Sequence, residues 1–427
     1  MNKTEAVPYG IAALLARVYL PFAAAYFLSY LYRTVNAVVG PLIADDLGLS
    51  AGDLGLLTSA YFIMFAAVQL PLGLALDRYG PRRTQACLLL AAAAGAVVFG
   101  LGGGMTQLVA GRVLIGLGVA AGLMGALKAI SLWFRAEHWP VMNGALMAAG
   151  GLGSLVATAP AQAALGVMSW HGLFFVLSGA TLVVAAMMWL VVPERPGSQA
   201  GGSFGEQVSA VGRIMSDGFF GRLVPIVAAQ QGTFIGVQTL WIGPWLRDVA
   251  GQDAATRSVT MFWAAVAMTL GFLSSGFVAA AMARRGVSHF ATATVMLSLF
   301  AGVSAVLAWV DLGTLPFPFA APVLWWVLFG FLGTYMIVYF PPLTQAFPLD
   351  LSGRVTTSMN FLMFSAVFLA QWGIGQMIDL WPRTAAGGYD PAGYTWAFGL
   401  CVVAQGAALL WLLVWRVQPM TVRLSRV

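Results

Sequence analysis

Three cations stand where an apolar chain should carry none. Arg33 lies inside YFLSYLYRTVNAVVGPL, residues 26–42, Arg112 inside GRVLIGLG and Lys128 inside GALKAISLWF. A charge at mid-bilayer depth costs about 2.5–3.5 kcal/mol on insertion scales, so such a residue faces protein or water and has a task. Positions three and four apart share a helix face, which groups Tyr26, Tyr30, Arg33 and Asn36 and turns the charge away from lipid. The same run holds no acid; Asp45 and Asp46 come three turns later. Lys128 is one of only 2 lysines beside 19 arginines, and Ala121, Gly122 and Gly125 leave room around it. A compact ammonium makes a point-charge contact where a guanidinium makes a planar fork. Two unpaired buried cations are unfavourable unless an anion shares their field. The chemistry they suggest is therefore anion binding; pairing with backbone carbonyls, or snorkelling to the interface, is the alternative.

The elements that must hold these residues follow from composition. The chain has 427 residues, 60% hydrophobic and 8% charged, with a mean hydropathy of +0.85. Soluble domains carry about 25% charged residues, so this is an integral membrane protein. Uncharged runs of about twenty residues, enough to cross the hydrocarbon as helices, give twelve spans. They fall near 16–42, 54–76, 84–104, 107–133, 141–165, 171–192, 223–246, 258–282, 289–310, 321–345, 355–379 and 394–415. The polar stretch 193–222 splits them six and six, its start reading as a linker and its second half as a short helix lying on the membrane. No cleaved signal is read at the N-terminus.

With both termini inside, the cytoplasmic side gathers Lys3, Arg17, Arg78, Arg82, Arg83, Arg135, Arg195, Arg213, Arg222, Arg284, Arg285, Arg354, Arg416, Arg423 and Arg426. The outside has Arg247, Arg257 and Arg383. This bias toward the inside accounts for most of the +6 net charge and argues against nucleic acid as a partner.

Uncharged polar groups complete a candidate cavity. Span 2 offers Tyr61 and Gln69; span 7 lines up Gln231, Phe234, Gln238, Trp241 and Trp245; span 10 has Tyr335 and Tyr339; span 11 has Asn360, Phe364 and Gln371. Roughly half of these should face the cavity, and Trp245 is expected to be an interface anchor. Cations on one side with amides, indoles and phenols on the other suit an organic anion with a hydroxyl or aromatic body. Every Glu falls in a loop or tail (Glu5, Glu137, Glu194, Glu206), and His138, His171, His289, Cys87 and Cys401 form no cluster with metal or nucleophile spacing. No enzyme activity, metal or cofactor is expected, and no buried carboxylate offers itself as a proton carrier.

The segment GLALDRYGPRR, residues 73–83, supplies Gly73, Asp77, Arg78, Gly80, Arg82 and Arg83. This spacing resembles the loop signature of the major facilitator superfamily, and the twelve spans extend the resemblance over the whole chain. It implies an all-α fold of two pseudo-symmetric six-helix bundles, 1–192 and 223–427, joined by a cytoplasmic linker, 193–222. It further implies a latch on the cytoplasmic side. Gly73 would let helices approach closely, Asp77 would face a helix N-terminus of the other half, and the arginines would bind acids or lipid headgroups. The second-half counterpart AAAMARRGVSH keeps Arg284 and Gly286 but has Ala283 in place of the acid. Span 4 resembles a second family motif through Arg112, Gly116 and Gly118, with snorkelling of Arg112 as the other reading. Span 5 lacks the drug/proton antiporter pattern, since Pro160 follows Ala159 and the glycines fall earlier.

Arg33, and Lys128 followed by Trp133 and Phe134, resemble the substrate-anchoring positions of the family's organic-anion branch. That branch often has an Asp, tied to proton coupling, where this chain has Tyr32.

The expected protein is thus a monomeric multi-pass carrier of the bacterial inner membrane, both termini cytoplasmic, surrounded by lipid bilayer. It would move a small organic anion, a carboxylate, by alternating access, either with a co-transported proton or a counter-anion or as a facilitative uniporter. Two alternatives stay open: a multidrug or metabolite exporter, and a ligand sensor with a carrier fold.

Overall fold

A computed structural model describes residues 10–194, 204–348, 351–385 and 387–415. Lys3, Glu5, Arg195, Arg416, Arg423, Arg426 and the start of the linker lie outside the described residues. Those described form helices and turns with no strand among them. Spans 1 to 6 run over 11–47, 51–79, 81–100, 105–133, 139–165 and Trp170–Leu190; spans 7 to 12 run over 218–248, Ala254–Arg284, His289–Trp309, 322–345, Ser352–Ile378 and Pro391–Val414. Among the described residues, ten helical stretches are long and apolar enough to cross a membrane, and Ala51–Ala67 is a shorter apolar helix. The amphipathic helix Phe204–Met215 forms in the linker's second half and buries Ala210 and Ile214.

Capping chemistry sets where several spans begin. Ser50 accepts from Asp53 N at 3.0 Å while Asp53 accepts from Ser50 N at 3.2 Å, a capping box for span 2. Asp217, Asp253, Ser288 and Asp390 take the same N-cap role for spans 7, 8, 9 and 12. The 73–83 signature is not an extended loop. Helix continues to Tyr79, and only Gly80, at φ 77°, breaks it before Pro81 opens span 3. A left-handed residue with no Cβ, followed by a proline, makes a tight corner.

Spans 1, 4, 7 and 10 read as continuous runs in the sequence, yet each is interrupted midway. Span 1 breaks at Val35, span 4 at Ala120 and Ala121, span 7 in the π-turn Val237–Trp241 and span 10 in the 3₁₀ stretch Thr334–Tyr339. Spans 2 and 5 are interrupted as well, at Val68 and at Ala157 and Thr158, and irregular backbone at membrane depth is tolerated where protein or a cavity meets the freed polar groups.

Close backbone approach fixes the bundle around them. A Cβ on Gly116 would overlap the Tyr61 carbonyl and one on Gly118 the Ala92 backbone, so span 4 wedges flush between spans 2 and 3. Between bundles, Gly375 of span 11 seats on the Ala51 carbonyl of span 2.

Candidate functional site

The breaks in spans 1, 4, 7 and 10 converge on a cavity of about 150 Å³ between the bundles. Arg33, last turn of the first helical stretch of span 1, enters it from one side. It is 8% exposed, and its guanidinium carbon lies 4.8 Å from the Tyr30 ring centroid, 5.4 Å from Phe65, 5.4 Å from Phe364 and 5.9 Å from Phe62. Its Nε meets no acceptor, and no carboxylate pairs with it among the described residues. Aromatic faces hold a cation through the ring quadrupole but give the Nε donor no acceptor. Arg33 is a desolvated cation whose neutralising partner is not supplied by the described protein.

Of the expected site residues, Tyr30, Arg33, Gln231, Gln238 and Asn360 line the cavity. So do Gln69, Phe234 and Phe364. The others lie elsewhere. Asn36 is buried past the Val35 break, and Tyr61 donates to the Ser29 carbonyl at 3.4 Å. Trp241 is fully buried and its Nε1 donates to the Gln371 carbonyl at 3.0 Å. The π-turn carries the end of the span 7 stripe away from the cavity, and Trp245, expected at the interface, is buried against Trp326 with ring centroids 5.4 Å apart. Tyr335 and Tyr339 reach span 8 and span 9 hydroxyls, Ser274 at 3.3 Å and Thr294 at 2.7 Å. The 3₁₀ stretch turns Thr334, Met336 and Ile337 inward instead.

Ser29, Thr34, Ser154, Thr239 and five methionines (124, 147, 268, 336, 363) also line the cavity. Ser29 stands one turn from Arg33 on its face, a signal the sequence did carry; the flexible methionines fill irregular space and carry none.

Lys128 departs most from expectation. It is not unpaired: its ammonium bonds Asp77 Oδ1, with side chains 21% and 37% exposed. It follows Ala120 and Met124 on the cavity-lining face of span 4, one turn nearer the 73–83 corner. Asp77 accordingly faces a lysine of its own bundle and not a helix N-terminus of the other. Arg82 and Arg83 pair with Glu194, Arg82 at 3.6 Å, while Arg78 is exposed and a Cβ added to Gly73 would meet nothing within 4 Å. Of the signature charges, Asp77 is paired within the first bundle, and Arg82 and Arg83 with Glu194 at the start of the linker.

The carboxylate-to-helix contact appears at the opposite end, made by Asp379. Its Oδ1 and Oδ2 accept from Ala51 N at 2.9 Å and Gly52 N at 2.7 Å, capping span 2 from the other bundle. Arg383 donates to the Leu49 carbonyl, and Arg247 reaches Asp45 at 3.7 Å. Asp248, beside this cluster and past the expected end of span 7 at 246, is a buried carboxylate. Its side chain is 3% exposed, accepting from Arg247 Nε at 2.6 Å and Tyr394 Oη at 2.7 Å. Burial raises the pKa of the neighbouring loop phenol Tyr389.

Arg112 does not snorkel. It is fully buried, 4.3 Å from the Phe99 centroid and 5.2 Å from Phe174, and donates to the Tyr32 carbonyl at 3.3 Å. It ties span 4 to the backbone beside Arg33. No group of three or more His, Cys, Asp or Glu residues suited to a metal occurs among the described residues.

Residues 22–371 match the Major Facilitator Superfamily. A probable sulfoacetate transporter of Cupriavidus necator is 23% identical over 79% of this chain and 80% of its own length. A probable L-galactonate transporter of Escherichia coli is 30% identical over 42% of this chain; that match spans 38% of the relative. A bacterial homologue of the human lysosomal transporter Spinster, solved inward-facing and unoccupied, superposes with a TM-score of 0.70 at 18% identity over 92% of this chain and 95% of its own.

Proposed function

The chain belongs to the Major Facilitator Superfamily, and we propose that it carries a small organic anion, a carboxylate, across the bacterial inner membrane by alternating access between two bundles, 1–192 and 223–427. One observation carries this reading: Arg33 is a cation in the inter-bundle cavity, boxed by aromatic rings and matched by no carboxylate among the described residues. A buried charge is tolerable when its counter-charge arrives with the ligand. The same cavity is poorly suited to the cationic drugs of an exporter. That relatives carry names of sulfoacetate and galactonate transporters supports an organic acid.

By the positive-inside assignment, the end closed by Asp379, Arg383 and Arg247 is external and the 73–83 corner is cytoplasmic. The conformation is then closed outside, with Lys128 at the inner approach to the cavity. Lys128 exchanges partners: Asp77 holds it while the site is empty, and the substrate's anionic group takes it on loading. Arg33 is the fixed anchor, and Tyr30, Gln231, Gln238 and Asn360 surround the bound body. With Tyr32 where the branch has an acid, a proton travels on the substrate or a counter-anion returns. The carrier acts as a monomer.

The test is uptake into proteoliposomes of radiolabelled carboxylates, sugar acids, sulfonates and phosphates, with and without an imposed pH gradient. Saturable uptake of an organic acid, lost in Arg33→Ala, is expected. Uptake that survives this substitution refutes the anchor, and a pH-gradient requirement separates proton symport from exchange.

A further inference from the structure

We infer that the site selects a hydroxylated anion, one whose body presents O–H donors beside its charged group. The inference rests on the anion reading and names the class of substrate within it. Three glutamines line the cavity, and each points its amide nitrogen at a protein acceptor, Gln231 with both N–H groups and Gln69 and Gln238 with one. Gln69 Nε2 donates to the Phe65 carbonyl at 3.1 Å, and Gln231 Nε2 to Gln230 Oε1 at 2.6 Å and the Gly333 carbonyl at 3.3 Å. Gln238 Nε2 donates to Met268 Sδ at 3.1 Å.

The partners fix these orientations. A backbone carbonyl and a thioether have no proton to give, so rotating any of these amides would set oxygen against a lone pair. Gln230 is held likewise, its Nε2 on the Gly333 carbonyl at 2.8 Å, which leaves its Oε1 to accept from Gln231. What every one of these amides keeps for a ligand is its carbonyl oxygen, joined on Gln69 and Gln238 by one remaining N–H, and a hydroxyl can meet both since it donates and accepts. Gln69 Oε1 is already buried without a partner, on a side chain 1% exposed.

The cavity thus sets a cation in the first bundle beside acceptors contributed by both. A carboxylate or sulfonate with a bare hydrocarbon body satisfies Arg33 and leaves the acceptors unmet. A polyhydroxy acid satisfies both, its anionic end on Arg33 and its hydroxyls on the amide oxygens. A site built to bond hydroxyls rejects analogues that lack them far more strongly than an apolar site distinguishes a methylene.

The experiment is equilibrium binding to the purified full-length chain of three six-carbon probes: galactonate, hexanoate and galactitol. Galactonate should bind at least about tenfold more tightly than hexanoate, the factor expected for one unmet buried acceptor, and galactitol more weakly than galactonate. In Gln69→Leu and in Gln238→Leu the galactonate-to-hexanoate ratio should narrow, read by the same titration on protein that elutes as a single species. Hexanoate binding as well as galactonate overturns the hydroxyl inference and leaves the anion reading intact. A ratio unchanged in both variants also overturns it. Galactitol binding as well as galactonate overturns the anion reading instead, with the hydroxyl preference standing.

Discussion

Arg33→Ala separates an anion anchor from a structural strut. A hydrogen bond to a charged group nets about 1.5–3 kcal/mol, and each 1.4 kcal/mol is tenfold in affinity. Loss of the guanidinium should therefore raise the dissociation constant of the transported anion about ten- to hundredfold. Stability should behave differently. In the ligand-free protein no carboxylate among the described residues pairs with Arg33, and its Nε is unsatisfied. Truncation removes contact with four rings but also removes an uncompensated buried charge, and these effects oppose one another. The thermal midpoint of the empty carrier should thus stay near the wild-type value while ligand-induced stabilisation disappears. Arg33→Lys keeps the charge but replaces a planar, weakly hydrated fork with a strongly hydrated ammonium, so its affinity should fall between the two. Isothermal titration paired with thermal melts reads both quantities. Unchanged affinity in Arg33→Ala, or a collapse of the melt in step with binding, refutes the reasoning.

Other perturbations test the frame around the site. Asp77→Asn releases Lys128; since a pair this exposed is worth up to about 1 kcal/mol, anion affinity should rise by up to about fivefold while turnover falls, as read by titration and by uptake rates. Asp379→Asn removes a carboxylate from the N-terminus of span 2, worth about 0.3–2 kcal/mol; labelling of a Thr239→Cys variant by an impermeant maleimide should then speed up from the Asp379 side. Gly116→Val sets a side chain against the Tyr61 carbonyl; overpacking of this kind costs about 1–3 kcal/mol and should lower the thermal midpoint whether or not ligand is present.

Hydropathy made the twelve spans legible because lipid imposes one uniform requirement, that every backbone group be satisfied inside its own helix. Arg33 was legible for the same reason: a charge among apolar neighbours stands out, and its helical face names Tyr30 as company. The breaks in spans 1, 4, 7 and 10 were not. Val237–Trp241 and Thr334–Tyr339 contain no Gly or Pro to announce a break, and their irregular winding depends on what packs across from them. Misplaced members of the proposed site follow from this. A stripe drawn at 3.6 residues per turn through Gln231, Gln238, Trp241 and Trp245 holds only until the π-turn rotates it.

Lys128 and Asp77 mark the sharper boundary. Each stands out in the sequence as a charge in or beside a span, but 51 residues separate them, and nothing in either segment shows that span 4 brings the ammonium to the corner at Gly80. Asp379 is the converse case, an acid at a span end that tertiary structure sets on the N-terminus of a helix 328 residues away. The sequence by itself determined that this chain lives in lipid, how often it crosses, and that a cation waits inside, since these depend on the cost of exposing each residue to hydrocarbon. Which charges are already neutralised, and which glutamine oxygens remain free for a ligand, only the tertiary structure decided, because pairing depends on distances between segments that no local pattern encodes.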